Sequence, residues 1–354
     1  MLRKAYFWLQ RFAFISFPLL KILALKFKLL GDVAVLVPAL RALRAQWPAA
    51  ELHVLVREEA VPVLQNLPWI QGVWGIARSL KGPRLKAAWD TLQRLRRMRF
   101  DRSIDFEGND RGALLSLVIG ARERLGSIAP RGFFGRRYCY NQWVEKAPNG
   151  IHEILRDLHT LTVWNVPAPA SLEHETRADP ALAAQAALIF PEKRPVLAHL
   201  STSQEKKEWP VTHWVELAGR ARKQGIPLVF SSGVGAREKE LLRELRRRCP
   251  EARTLEAVPT LTSFIAVIER AAVFISGDTG PLHLAAGLKV PVVGIFGPSN
   301  MEQWLPFGPR CIGLKGPPCV CDGHARRCEQ QQSCMASVSV DRVWQQLLAL
   351  YDAA

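Results

Sequence analysis

Short apolar runs alternate with amphipathic stretches along most of the chain. LKILALKF (20–27) is a continuous apolar run of strand length, Val33–Gln46 carries apolar residues at helical spacing, and ELHVLV (51–56) is a second apolar run. Arg84–Met98 reads as a basic helix and RSIDF (102–106) as a strand. The second half repeats the style with different residues. PVLAHLS, IPLVFSSG, RTLEAV, VFISGD and VPVVGIFG read as strands, separated by the helical stretches VTHWVELAGRARKQG, AREKELLRELRRR, LTSFIAVIERAA and PLHLAAGLK. Strands that are apolar throughout are buried on both faces, and their alternation with helices predicts an α/β chain of parallel sheets covered on each side. The two series meet near Pro167–Pro195, where Pro and Ala accumulate, so two Rossmann-like domains facing a central cleft are expected. Ligands of such sheets lie outside the carboxyl ends of the strands. Three turns at those ends hold unusual chemistry: LLGD (29–32), STSQEKKEWP (201–210) and SGDTGPLH (276–283).

A length of 354 residues is enough for two domains, and 48% hydrophobic with 23% charged residues is ordinary globular composition. The net charge of +16 is not ordinary. Residues 1–180 hold 27 Lys and Arg against 16 Asp and Glu, a balance of +11, while 181–354 hold 21 against 16, a balance of +5. A basic surface attracts a nucleic acid, an anionic membrane or a phosphorylated substrate. No nucleic-acid-binding motif accompanies the charge, so no nucleic-acid partner is expected. The N-terminus begins like a signal peptide but has no small-residue cleavage site, and Lys21, Lys26 and Lys28 interrupt its apolar run before it could span a bilayer. Residues 1–17 read as a cationic, aromatic helix in a membrane interface, or as a helix packed on the protein's own core.

Asp32 is the first acidic residue of the chain, after six Lys or Arg, and it follows Gly31 directly. A glycine allows a tight turn off the strand, so Asp32 stands in the first turn of the next helix, where a carboxylate complements the helix dipole by about 0.3–1 kcal/mol. In SGDTGPLH, Asp278 and Thr279 suit N-cap positions and Pro281 the first helical turn. The free N–H groups of such an end favour a phosphate, and Gly280 lets it approach the backbone, although a capped structural helix has the same pattern.

SGDTGPLHLAAGLKVPVVGIFGPSN resembles the signature of the ADP-heptose lipopolysaccharide heptosyltransferases, glycosyltransferase family 9. LGDVAVLVPALRALRAQWPAAELHVLV resembles that family's opening segment and KKEWPVTHWVELA its donor loop, and a Cys-Met pair stands at Cys334. The likeness covers most of residues 21–350. It implies the GT-B fold. Residues 1–20 would be a basic extension, 21–180 the acceptor domain, 181–335 the nucleotide-sugar domain with a Cys-rich tail, and 336–354 a helix packing back on the N-terminal domain. It further implies an inverting transfer of heptose from ADP-heptose to phosphorylated inner-core lipopolysaccharide, by an enzyme peripheral on the cytoplasmic face of the inner membrane. Asp32 matches the proposed general base, which must take the proton of a weakly nucleophilic hydroxyl. Lys207 matches the phosphate-contacting lysine, with Lys206 an alternative one position away. Thr202 and Ser203 lie where hydroxyls contact the phosphates, and Asp278, Thr279, Gly280 and His283 match the D-T-G-x-x-H donor site. Glu238 aligns loosely with a ribose-binding acid and equally suits a surface helix. Gly31, Arg136 and Arg137 fall on the acceptor side. Another nucleotide sugar, a protein acceptor or a non-catalytic binder are the alternatives.

Transfer in this family requires no metal as a rule. Cys319, Cys321, Cys328 and Cys334 nevertheless place four thiols within sixteen residues. Thiolates so grouped suit structural zinc or iron. The resemblance extends to relatives reported to bind iron there, while reduced thiols and disulfides remain open.

Overall fold

The computed structural model describes residues 19–353 apart from 80, 129–131, 134, 149, 193, 256–257, 321–327 and 329–332. The interface helix expected over residues 1–17 and Cys321 lie outside the described residues. The first apolar run forms β1 (Lys21–Lys26), followed by α1 (Leu30–Ala34), α2 (Val37–Gln46), β2 (Glu51–Arg57), α3 (Val61–Leu64) and β3 (Gly72–Ile76). Next come α4 (Pro83–Arg97), β4 (Arg102–Asp105), α5 (Asp110–Ile119), β5 (Glu123–Ile128), β6 (Gln142–Glu145) and α6 (Glu153–Leu161). After α7 (Ala183–Ile189) the second series runs β7 (Val196–His199), α8 (Val211–Lys223), β8 (Leu228–Ser231), α9 (Ala236–Arg248), β9 (Arg253–Thr254) and α10 (Leu261–Glu269). It ends with β10 (Val273–Gly277), α11 (Gly280–Gly287), β11 (Val292–Phe296), α12 (Met301–Trp304), β12 (Cys311–Lys315) and α13 (Val340–Asp352).

The strands form two six-stranded sheets, β3-β2-β1-β4-β5-β6 and β12-β11-β10-β7-β8-β9, which share one doubly wound order. Every pairing is parallel. The order reverses between β1 and β4 in the first sheet and between β7 and β10 in the second. Those two switch points open the crevices into which the three singled-out turns project.

Apolar continuity in the strands matches their burial: β7, β8, β10 and β11 are buried along their whole length. A continuous core runs from one face of the first sheet, under α2, into one face of the second under α10 and α11. The outer face of the first sheet packs on α4 and that of the second on α8 and α13.

Two expectations change. The single helix over Val33–Gln46 is two, because Pro38 lacks the N–H a continuing helix needs and instead opens α2. The C-terminal helix does not pack on the first domain. Its apolar stripe Val340, Val343, Leu347 and Leu350 closes the second sheet's outer core, beside Trp214 and Leu217 of α8.

Candidate active site

The two sheets meet end to end at α1 and α11. A Cβ on Gly280 would stand 3.0 Å from Leu30 Cβ, and one on Gly31 would stand 2.9 Å from His283 Cδ2, so the close approach depends on both glycines. Beside this contact lies a cleft of about 900 Å³. Lys28, Gly31 and Asp32 line one wall, and Ser203, Lys207, Glu238, Asp278, Thr279, Gly280 and His283 line the other. Residues as far apart in sequence as Lys28 and His283 are thereby gathered at the carboxyl ends of β1, β7 and β10.

Asp32 is in the first turn of α1, and its Oδ2 accepts from Leu29 N at 3.2 Å. Its other oxygen, Oδ1, faces Lys28 Nζ at 3.3 Å. The acid thus helps cap a helix and also borders the cleft. Lys28 reaches Glu153 as well, at 3.7 Å. Glu153 accepts from Gln303 Nε2 of the second domain at 2.7 Å and is paired with Arg156. Burial raises the Glu153 carboxyl, but Lys28, Gln303, Lys26 and Arg156 outweigh it and hold the group below the ordinary range. Beneath the wall, Lys26 is 1% exposed and donates to Asp157 at 2.6 Å. Burial alone would lower the lysine, yet Asp157, Glu107 and Asp32 together raise it, so it stays an ammonium.

On the facing wall Lys207 Nζ contacts Asp278 Oδ2 at 2.7 Å, and Ser299 Oγ donates to the same oxygen at 2.6 Å. Thr279 is the N-cap of α11 but makes no side-chain cap bond, so no hydroxyl occupies the N–H groups of that first turn. Glu238 Oε2 accepts from Gly235 N at 2.8 Å and closes the first turn of α9 at the cleft's edge. His283 stacks on His174, their ring planes inclined by 5° and Nδ1 to Nε2 at 3.1 Å. Burial lowers His283 to about 4 and holds His174 well below the ordinary imidazole range, so both imidazoles are neutral near pH 7.

Not every candidate reaches the cleft. Thr202 is 1% exposed and its hydroxyl donates to Gln204 O at 2.6 Å, engaged within its own loop. Lys206 is buried away from the cleft that Lys207 lines. Arg136 faces Asp110 at 3.3 Å and Arg137 stacks on Tyr138 with its guanidinium 5.0 Å from the ring centre; both lie on the short helix between β5 and β6, outside the cleft lining. Cys334 is buried and its thiol is pushed up to about 11, first by burial and then by Cys319. Among the described residues no three His, Cys, Asp or Glu side chains are grouped to hold an ion, and no helix is long and apolar enough to cross a membrane. Lys28, Ser299, Gln303 and Trp304 were not singled out in the sequence. Lys28 alone had a signal there, as a second lysine two residues past Lys26, just before Asp32.

The sequence pattern of glycosyltransferase family 9 (heptosyltransferase) matches residues 88–330. Lipopolysaccharide heptosyltransferase 3 of Escherichia coli K12 is 22% identical over 290 residues, covering 78% of this chain and 82% of its own. A family 9 glycosyl transferase from Veillonella parvula superposes with a TM-score of 0.78 at 18% identity, over 94% of this chain and 98% of its own. The E. coli heptosyltransferase WaaC with ADP-2-deoxy-2-fluoro heptose superposes with a TM-score of 0.70 at 20% identity, over 93% and 99%. With two doubly wound sheets about a cleft, these likenesses show the GT-B fold.

Proposed function

The chain belongs to glycosyltransferase family 9, and from that premise we propose that it transfers heptose from ADP-heptose to the inner core of lipopolysaccharide, inverting the anomeric centre. One observation carries the reading: a carboxylate on one wall, Asp32, faces a Lys207–Asp278 pair and an uncapped helix start on the other, within one cleft. Asp32 accepts the proton of the acceptor hydroxyl, whose oxygen bonds to the anomeric carbon. The bond from that carbon to the β-phosphate oxygen breaks, and ADP departs with the electron pair. Lys207, Ser203 and the N–H groups at Gly280 meet the charge that grows on the leaving diphosphate. Thr202 positions that loop through Gln204, and Glu238 holds the ribose hydroxyls. Neutral His283 serves as a hydrogen-bonding group to the donor.

The first domain takes the acceptor and the second the nucleotide sugar, consistent with the ADP-sugar carried by the E. coli relative. The transfer itself is met by protein groups, without a metal bridging the phosphates. The basic first half suits a phosphorylated acceptor at the cytoplasmic surface of the inner membrane. Incubation with ADP-heptose and truncated lipopolysaccharides, followed by mass spectrometry, tests it. One added heptose per ADP released is expected. Transfer only from another nucleotide sugar, or to protein, would overturn the assignment.

A further inference from the structure

Beyond Asp110 and Arg111 in its first turn, helix α5 is apolar on both faces but for the buried Ser116. Gly112, Ala113, Ser116 and Ile119 form its buried face, while Leu114 and Leu117 point outward, 51% and 46% exposed. A helix apolar on both faces is ordinarily covered on both. Its neighbour α4 buries Ala88 and Leu95 and leaves Leu85 and Trp89, one turn apart, 55% and 53% exposed. Arg96, seven residues beyond Trp89 on the same side of α4, donates to Val118 O of α5, so the two apolar stripes border one surface.

The charges beside these stripes are of one sign. Helix α4 carries Arg84, Lys86, Arg94, Arg96 and Arg97 against a single acid, Asp90. Among the described residues none of Arg84, Lys86, Arg94 and Arg97 has a carboxylate partner. The comparably basic α9 differs: Arg243, Arg247 and Arg248 all pair with Glu240 or Glu244 of the same helix. Both α4 and α5 begin at the carboxyl edge of the first sheet, on the side of Asp32. Arg111 in the first turn of α5 lies over the Phe27 ring at 5.0 Å, just before the Lys28–Asp32 loop.

We propose that the outer face of α4 and α5 is a docking surface for an anionic lipid bilayer, with Leu85, Trp89, Leu114 and Leu117 entering the headgroup boundary and the α4 cations holding the lipid phosphates. Nucleic acid would use the cations but not the aliphatic stripe, and an acidic protein would not need both helices of the pair to be apolar outward. The inference deepens, and in its biological sense rests on, the reading of a lipid-borne acceptor, because it sets the Lys28–Asp32 loop near the membrane surface.

Sedimentation of the full chain with phosphatidylcholine vesicles, with and without phosphatidylglycerol, tests it. Binding that requires phosphatidylglycerol is expected. The paired variants Leu114→Ser/Leu117→Ser and Lys86→Gln/Arg97→Gln should each weaken it roughly tenfold or more. Wild type that does not sediment, or variants that sediment as well as wild type, would overturn the proposal, as would a dimer in gel filtration that Leu114→Ser/Leu117→Ser dissociates. Transfer from ADP-heptose to a deacylated, soluble acceptor should be unchanged in both variants. Failure of that transfer in the wild type would overturn the enzymatic reading while leaving the vesicle result standing.

Discussion

Replacing Gly31 by alanine probes the contact on which the cleft depends. The added Cβ would stand 2.9 Å from His283 Cδ2 and 3.5 Å from Gly280 Cα. Carbon atoms in contact prefer about 3.5–4.0 Å, so the methyl intrudes by roughly half an ångström. His283 cannot swing aside freely, since it is buried and bound to His174 at 3.1 Å. Overpacking of this kind costs about 1–3 kcal/mol. Gly31 lies inside α1, however, where alanine is favoured over glycine by about 1 kcal/mol. The single variant should therefore lose about 0–2 kcal/mol, too small a change to be decisive by itself. A double-mutant cycle removes the ambiguity. In a His283→Ala background the obstructing ring is gone, so Gly31→Ala should be neutral or stabilising, and the coupling should be about 1–3 kcal/mol. Denaturant unfolding of the four proteins measures it. Coupling below about 0.5 kcal/mol, the scatter of independent sites, would refute the argument that these residues set the approach of the two domains. In the wild-type background the displaced α1 should also lower turnover by about tenfold, given the ~100-fold cost of a 1 Å misplacement.

Lys207→Met should weaken ADP binding by about 10- to 100-fold by calorimetry, the worth of a charge-assisted hydrogen bond of about 1.5–3 kcal/mol; an unchanged affinity would remove Lys207 from the donor site. Asp105 gives a pH test of the fold. It is fully buried, accepts from Tyr140 Oη at 2.5 Å, and burial raises its carboxyl from 3.8 to about 6. A carboxyl raised on folding favours the protonated form, so its contribution is complete below the unfolded value and is lost as pH rises through about 6. The difference amounts to about 3 kcal/mol at most. Asp105→Asn should accordingly gain stability relative to wild type between pH 4 and pH 8 in urea titrations, and a constant difference across that range would contradict the assignment.

Much of this architecture is local and therefore legible in the chain. Apolar runs such as PVLAHLS and VFISGD became buried central strands because apolar residues dominate both faces, and the polar His199 and Ser276 near the strand ends are buried with hydrogen-bond partners, Ser231 Oγ and Gly277 O. The doubly wound order follows from strand–helix alternation, and it carries LLGD, KKEWP and SGDTGPLH to the same cleft. What stayed hidden is non-local. Nothing near Glu153 in sequence indicates Gln303, 150 residues on, and nothing near His283 indicates His174, 109 residues back. The turn of the Thr202 hydroxyl onto Gln204 O was equally hidden, because such a local two-residue hydrogen bond competes with any ligand. Helix α13 has an apolar stripe that either sheet could accept, and only the shape of the second core decides between them.

The catalytic proposal for Asp32 is tested most directly by Asp32→Asn. The amide keeps an oxygen to accept from Leu29 N, so α1 should remain capped, but it cannot take a proton from the acceptor. Turnover is predicted to fall by roughly 10²–10⁴-fold while the dissociation constant for ADP-heptose stays within about threefold of wild type. Near-normal turnover, with the same donor affinity, would contradict the assignment of Asp32 as the base.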